Sequence, residues 1–312
     1  MPTGPVVTDL LISVAFAVAS ALAYALGAVV QERLAVRLGA QTPWRAIVRA
    51  LLRARRWWLS VALNAAGALL HVAALAYGPL SVVQPLGVLT LVLALPIGAA
   101  FTARRVAARQ WVGAAATVLG LLLLLSLTVP GSGDGMTAAD GTVLIVASAV
   151  VLTAMIAGTA ALRRPVPRSL LYATGAGIAF AVASALTHAV TREYAEHAAA
   201  ALIGPTVPAV AAMAIAGVLL SQLAYRGGGL GAPLATVTLA NPVASAVIGV
   251  ALFGERFADG PLAMVLLVCA CGTAGVGILL LAPPAAVTDT ADPVDPVNPA
   301  PDRPGPLALC RR

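Results

Sequence analysis

Apolar residues gather in nine long blocks along the 312-residue chain, at about 10–30, 57–77, 81–102, 110–128, 141–162, 169–190, 205–225, 230–253 and 260–282. A helix of roughly 20 apolar residues crosses the ~30 Å hydrocarbon core of a bilayer, so each block predicts one span. Two blocks are interrupted by proline: the third by Pro85 and Pro96, the eighth by Pro233 and Pro242. The connections between spans two and three, and between seven and eight, are very short. The expected fold is therefore an all-α membrane protein with nine transmembrane helices.

Two stretches break this pattern. Across 43–56, Trp44, Ile47, Val48, Leu51 and Leu52 fall on one helical face, while Arg45, Arg49, Arg53 and Arg56 fill the other. That spacing predicts an amphipathic helix on the membrane surface, with arginines against anionic headgroups. From 283 to 312 the chain is rich in Pro and scattered Asp, a composition that cannot pack a core. The expected organisation is a transmembrane domain over 1–282 and a disordered cytoplasmic tail over 283–312.

Composition agrees with a bilayer environment. The chain is 60% hydrophobic and 10% charged, with a mean hydropathy of +0.96. Soluble domains are about 45–50% apolar and about 25% charged. The net charge of +7 comes from 19 arginines and no lysine, against 12 acidic residues. A basic balance can signal nucleic acid, but here the arginines lie between spans and report topology instead. All but Arg192 and Arg256 fall on one side of the nine-span arrangement. The positive-inside rule then sets the N-terminus outside and the C-terminus in the cytoplasm, in a multi-pass plasma-membrane protein. No basic residue precedes the first apolar block, so it reads as a span rather than a cleaved leader. Cys269 and Cys271 point to different faces of one span and read as small hydrophobes. No cofactor, metal or nucleic acid is expected; the lipid bilayer is.

The chain also repeats itself. "LAYGPLSVVQPLGVLT" at 75–90 returns as "LAYRGGGLGAPLATVT" at 223–238, and "AVASAL" occurs at 17–22 and 181–186. The first pair links spans two and seven, the second spans one and six. Matching elements are five crossings apart, and an odd number inverts the second copy. The expected layout is two inverted four-helix repeats, spans 1–4 and 6–9, joined by span five. Inverted repeats with interrupted helices in corresponding places point to secondary transporters. Irregular backbone at membrane depth is tolerated where it is buried in protein or lines a watery cavity.

Four further stretches carry a resemblance: "ALGAVVQERLA" ending span one, "LAYGPLSVVQPL" entering span three, "RQWVGAAATVLGLLLLL" in span four and "LANPVASAVIGVALFGERF" in span eight. Over residues 10–282 the chain resembles the drug/metabolite transporter superfamily, which includes EamA-type permeases and the NIPA-like magnesium transporters. The resemblance implies a compact bundle of two inverted repeats that moves a small-molecule or ion substrate by alternating access. Two features depart from it. The helix at 43–56 stands where ten-span members carry a further span, and "TARRVAAR" in the first half lacks the acidic residue of "GER" in the second. A small-molecule transporter is the first expectation, a magnesium transporter the second, and a non-transporting membrane scaffold the third. Magnesium favours carboxylate ligands, and no Asp or Glu lies in the middle of a span.

Polar groups within spans are costly and are candidates for function. Asn241 precedes Pro242, which removes a backbone hydrogen bond and frees a carbonyl one turn earlier. The pair could coordinate a cation or polar substrate, or Asn241 could simply cap the kink. Gln84 and Pro85 open span three, where free N–H groups suit an anion. His71 could relay protons or pack within the bundle. Tyr24 could line a cavity or bond a neighbouring helix. Together with the break at Pro96, these residues are expected to surround one central cavity. Glu32, beside Arg33, reads as an interfacial ion pair with a possible gating or coupling role. Glu255 reads as a structural or gating residue at the opposite surface. No nucleophile–base set, phosphate loop or metal motif is present, and Thr187-His188 lacks an intramembrane acid partner, so no catalytic residues and no enzyme are expected.

Overall fold

The computed structural model describes residues 4–39, 44–78, 83, 86–103, 105–129, 137–197, 206–252, 256–257 and 260–283. The helices among them are α1 (Gly4–Leu38), α2 (Trp44–Arg53), α3 (Arg55–Tyr77), α4 (Leu89–Ala100), α5 (Ala108–Ser126), α6 (Ala138–Gly158), α7 (Pro165–His197), α8 (Thr206–Gly228), α9 (Gly231–Leu252) and α10 (Pro261–Leu281). Eight of these are long and apolar enough to cross a bilayer; α2 and α4 are the shorter two. The protein is thus a helical, multi-pass membrane protein. The third predicted span falls on α4, a 12-residue apolar helix whose approach is only partly described. The tail from 284 onward lies outside the described residues.

Local signals set the helix ends. Thr137 and Asp140 form a reciprocal cap on α6, with each backbone N–H bonded to the other's side chain. Gly260, at φ 109°, precedes Pro261 at the first turn of α10. The turn from α8 into α9 uses Gly227 and Gly229, at φ 89° and 68°, a region that L side chains rarely adopt. Pro233 lies in the first turn of α9, where a missing N–H costs nothing, so it starts the helix rather than interrupting it. Pro242 and Pro96 lie inside α9 and α4.

Three of the helix pairs that build the bundle show the part played by small residues. Such residues let backbones approach closely, which drives association inside lipid. In the antiparallel α5–α10 pair, a Cβ added at Gly113 would lie 2.9 Å from the Gly277 carbonyl oxygen, and one at Gly120 would lie 2.6 Å from that of Ala270. In the α1–α3 pair, the Ser13 hydroxyl donates to the Ala74 carbonyl at 2.8 Å and the Ser20 hydroxyl to that of Gly67 at 2.7 Å. In the α7–α8 pair, Ser169 donates to the Ala224 carbonyl at 2.5 Å.

The α1–α3 and α7–α8 pairs make the same contacts. Ser13 bonds Ala74 and fills the space beside Gly78; Ser169 bonds Ala224 and fills the space beside Gly228. Tyr24 lies against Gly67, and Phe180 against Gly217. The matching residues are 156 positions apart on α1 and α7 and 150 apart on α3 and α8. The repeated words in the sequence, 164 and 148 apart, therefore run out of step with the matching contacts.

The helix α2 is shorter than expected. The chain turns extended at Ala54, and Arg55 and Arg56 belong to α3. Its apolar face is buried by protein. Ile47 and Leu51 pack with Leu34 and Trp57, flanked by Val218, Leu219 and Leu223 of α8. Leu52 stays exposed. A two-residue antiparallel ladder, β1 (Thr128–Val129) with β2 (Arg256–Phe257), ties the end of α5 to the approach to α10. The sequence does not predict it, because two residues carry no periodicity.

Candidate functional site

At the α1–α3 crossing, the ring of Tyr24 stacks where a Gly67 side chain would stand, 3.0 Å from the nearest added Cβ. The Asn64 amide covers Gly27 in the same way, at 3.0 Å, and donates to the Ser60 carbonyl at 2.8 Å. His71 lies one turn beyond Gly67 on α3. The structure therefore brings Tyr24, Asn64 and His71 onto one helix pair. Among the described residues the only fully enclosed side-chain polar atom without a hydrogen-bond partner is Oε1 of Gln222. No hydrogen bond of the Tyr24 hydroxyl occurs among the described residues, and its ring is half-buried against α3.

Asn241 sits at the crossing of α9 with α7. A Cβ on Gly177 would lie 2.6 Å from that of Ala240 and 2.9 Å from the Asn241 backbone nitrogen. Pro242 deprives the Thr238 carbonyl of its usual helical donor. Thr236 and Thr238 return their own hydroxyls to the carbonyls of Ala232 and Leu234, both at 2.8 Å. The half-buried Asn241 amide is thus a polar group beside a freed carbonyl, in the half of the chain opposite Tyr24 and His71. Pro96 is exposed on α4, two residues before Gly98. Gln84, Pro85 and Glu255 lie outside the described residues.

Arg33 acts electrostatically on Glu32, as expected, while its guanidinium makes its hydrogen bond elsewhere. The Arg33 Nη2 donates to the Phe101 carbonyl at 2.5 Å, and its guanidinium lies 4.8 Å from the Phe101 ring centroid. The reason is reach: consecutive helical residues point about 100° apart, and Phe101 offers both a carbonyl and a π face on Arg33's side.

Sequence reasoning missed the residues that join the two halves. Gln222 of α8 is wholly buried, and its Nε2 donates to the Gln31 carbonyl of α1 at 3.0 Å. The reverse amide orientation would place two oxygens together, so the bond fixes which atom is Nε2. One turn on, Arg226 clamps the end of α1, its Nε and Nη2 donating to the Gly39 carbonyl at 3.1 and 2.6 Å. Leu230 inserts beside Gly98, 2.7 Å from an added Cβ, with Val29 on the same site. A single buried cluster then joins Ala25, Ala28, Leu91 and Leu95 of the first half to Tyr225, Leu234 and Ala235 of the second. An amide inside the apolar block "VLLSQLAYR" was the available signal for Gln222.

The far end is built differently. Ala17, Ala74 and Val83 pack with Phe16 and Leu86, all from the first half. Ala181, Val182, Leu186 and Ile248 pack with α6, α8 and α9 residues of the second. Among the described residues, the α5–α10 pair with its flanking Val88–Leu121–Leu239 cluster and the β1–β2 ladder join the halves at this end, and the other buried clusters there stay within one half.

The chain is similar to an uncharacterized protein of Corynebacterium glutamicum, 27% identical over 252 residues that make up 79% of this chain and 86% of that one. No family model matches the chain, and no solved structure matches it.

Proposed function

We propose that the protein is a transporter of the drug/metabolite transporter type, built from two inverted four-helix repeats over nine spans and moving a small molecule by alternating access. The observation that carries this reading is the unlike packing of the two ends. The halves are latched at one end by Gln222–Gln31, Arg226–Gly39 and Leu230–Gly98. At the other end two buried clusters each stay within the first or second half of the chain, although the α5–α10 pair and the β1–β2 ladder also join the halves there. A scaffold has no need of two unlike ends, whereas alternating access requires each end to close in turn. The matched contacts of α1–α3 and α7–α8 support the repeat. The latched end also gathers the arginine-bearing ends of α1, α5 and α8, which supports its assignment to the cytoplasm.

In this reading Tyr24, His71 and Asn241 face a cavity between the halves that opens away from the latch, and apolar walls suit a neutral or cationic amphiphile. The test is a substrate screen with purified protein in liposomes, with and without a proton gradient. Asn241→Leu should abolish uptake of the substrate found while leaving insertion near normal. A protein that moves nothing in the screen while binding a partner through its tail would favour the scaffold instead.

A further inference from the structure

The elbow between α2 and α3 sets two kinds of surface side by side. The chain turns extended at Ala54 and starts α3 at Arg55, so Arg53, Arg55 and Arg56 crowd one turn, and all three are exposed. The indole Nε1 of Trp58 donates to the Leu52 carbonyl at 3.0 Å, which ties the end of α2 to the start of α3. Leu52, Trp58 and Leu59 are each more than half exposed. Ile47 and Leu51 are already covered by α1, α3 and α8, so these three residues are the apolar surface that the elbow offers to a bilayer. From Arg55 an exposed lane continues along α3 through Leu59, Ala62, Ala66 and Leu69, at helical spacing. Arg55 to Leu69 is about 21 Å of helix, more than the ~15 Å that one leaflet contributes to the hydrocarbon core.

Nothing near the elbow in sequence answers its charge. Ten arginines and no Asp or Glu lie between Glu32 and Asp134. Among the described residues, no hydrogen bond or ion pair engages the side chains of Arg53, Arg55 or Arg56. A soluble anion would meet the charge and leave Leu52, Trp58 and Leu59 uncovered. A zwitterionic lipid would cover them and bring no net charge.

We propose that the α2–α3 elbow binds an anionic phospholipid, with its phosphate held by Arg53, Arg55 and Arg56 and an acyl chain lying against Trp58 and along the α3 lane. Guanidinium forks match phosphate oxygens two at a time, and tryptophan favours the headgroup level of a membrane. The Trp58 N–H is already engaged by Leu52, so the ring is fixed and presents its apolar face. This site is independent of the transporter reading, since a scaffold would hold the lipid equally well.

The experiment uses the purified full chain in phosphatidylcholine vesicles that hold a rising fraction of brominated phosphatidylglycerol or, in a parallel series, brominated phosphatidylcholine. Bromine on an acyl chain quenches a tryptophan that it touches. For wild type and each arginine variant, subtracting the same protein with Trp58→Phe isolates the signal of Trp58. Brominated phosphatidylglycerol should half-quench that signal at about a threefold lower mole fraction than brominated phosphatidylcholine. Arg53→Gln, Arg55→Gln and Arg56→Gln together should bring the two curves together. Arg105→Gln, Arg163→Gln and Arg164→Gln together, which remove the same charge from other connections, should leave them apart. Thermal melting checks that each variant is folded; if the elbow triple is not, Arg55→Gln alone, expected to narrow the gap, carries the test. The proposal is overturned if both lipids quench wild type equally, or if the gap survives loss of the elbow arginines. It is also overturned if both triple variants close the gap alike, which would be diffuse attraction of anionic lipid to a basic protein. A gap that appears only after removal of residues 284–312 would overturn it as well, because the chain's own tail would then cover the elbow.

Discussion

The ring of Tyr24 occupies the place of a side chain at Gly67, with its Cγ 3.0 Å from where that Cβ would stand, and Phe180 takes the same place over Gly217 at 2.6 Å. One aromatic on one glycine thus locks the first helix pair of each half. Overpacking such a contact costs about 1–3 kcal/mol. Gly67→Val and Gly217→Val should each lower the melting temperature of the solubilised protein. Adding Tyr24→Ala to Gly67→Val, or Phe180→Ala to Gly217→Val, should recover part of the loss. Loss of equal size with and without the aromatic would show that these contacts do not hold the pairs.

Glycines on α10 divide by what they face. A Cβ at Gly277 would lie 2.6 Å from the Gly113 carbonyl oxygen, a backbone atom that cannot turn aside, whereas nothing lies within 4 Å of one at Gly272 or Gly275. Gly277→Ala should destabilise the α5–α10 pair. Gly272→Ala and Gly275→Ala should be neutral or stabilising by up to ~1 kcal/mol, the helix preference of Ala over Gly. Thermal unfolding of the three variants checks the ordering.

The helix α2 docks on protein through Ile47, which is 1% exposed, while Leu52 is 56% exposed. Ile47→Ala should cost about 2–5 kcal/mol, as for other buried large-to-small changes, and Leu52→Ala much less. Limited proteolysis between α1 and α3 should accelerate in the first variant and not in the second. Equal sensitivity would mean that α2 is held by the bilayer rather than by α1, α3 and α8.

The orientation proposed from the arginines has its own test. Reporter fusions after Arg109 and Arg168 should report the cytoplasm, and one after Asp134 the exterior. A reversal at any of the three breaks the nine-span arrangement.

The spans were legible in the sequence because membrane helices announce themselves by length and apolarity alone, and eight of the nine blocks map onto long helices. The third block was harder to read. Among the described residues its helix α4 runs over Leu89–Ala100 with Pro96 inside it, whereas hydropathy counts one continuous block. The face of α2 was legible, but what covers it was not: periodicity marks Ile47 and Leu51 as buried without saying whether lipid or α8 buries them. The repeat was legible only in outline. Shared words in Ala-rich helices align by composition, while the contacts align by the aromatic, the serine and the glycines that each pair needs. At the candidate site, Tyr24, His71 and Asn241 could be singled out as intramembrane polar residues. The latch could not, because Gln222 and Gln31 are 191 residues apart and meet only through the fold.

The central claim is that the latched end opens when the other closes. Distances between spin labels in lipid nanodiscs test it most directly, after Cys269, Cys271 and Cys310 are replaced by Ser. One label pair, at Val36 and Arg164, reports the latched end; a second, at Leu11 and Ala211, reports the other. The account predicts two populations at each pair that change in opposite directions. Removing the latch with Gln222→Ala and Arg226→Ala should lengthen the Val36–Arg164 distance and shorten that between Leu11 and Ala211. A single distance at both ends, unmoved by loss of the latch, would contradict it.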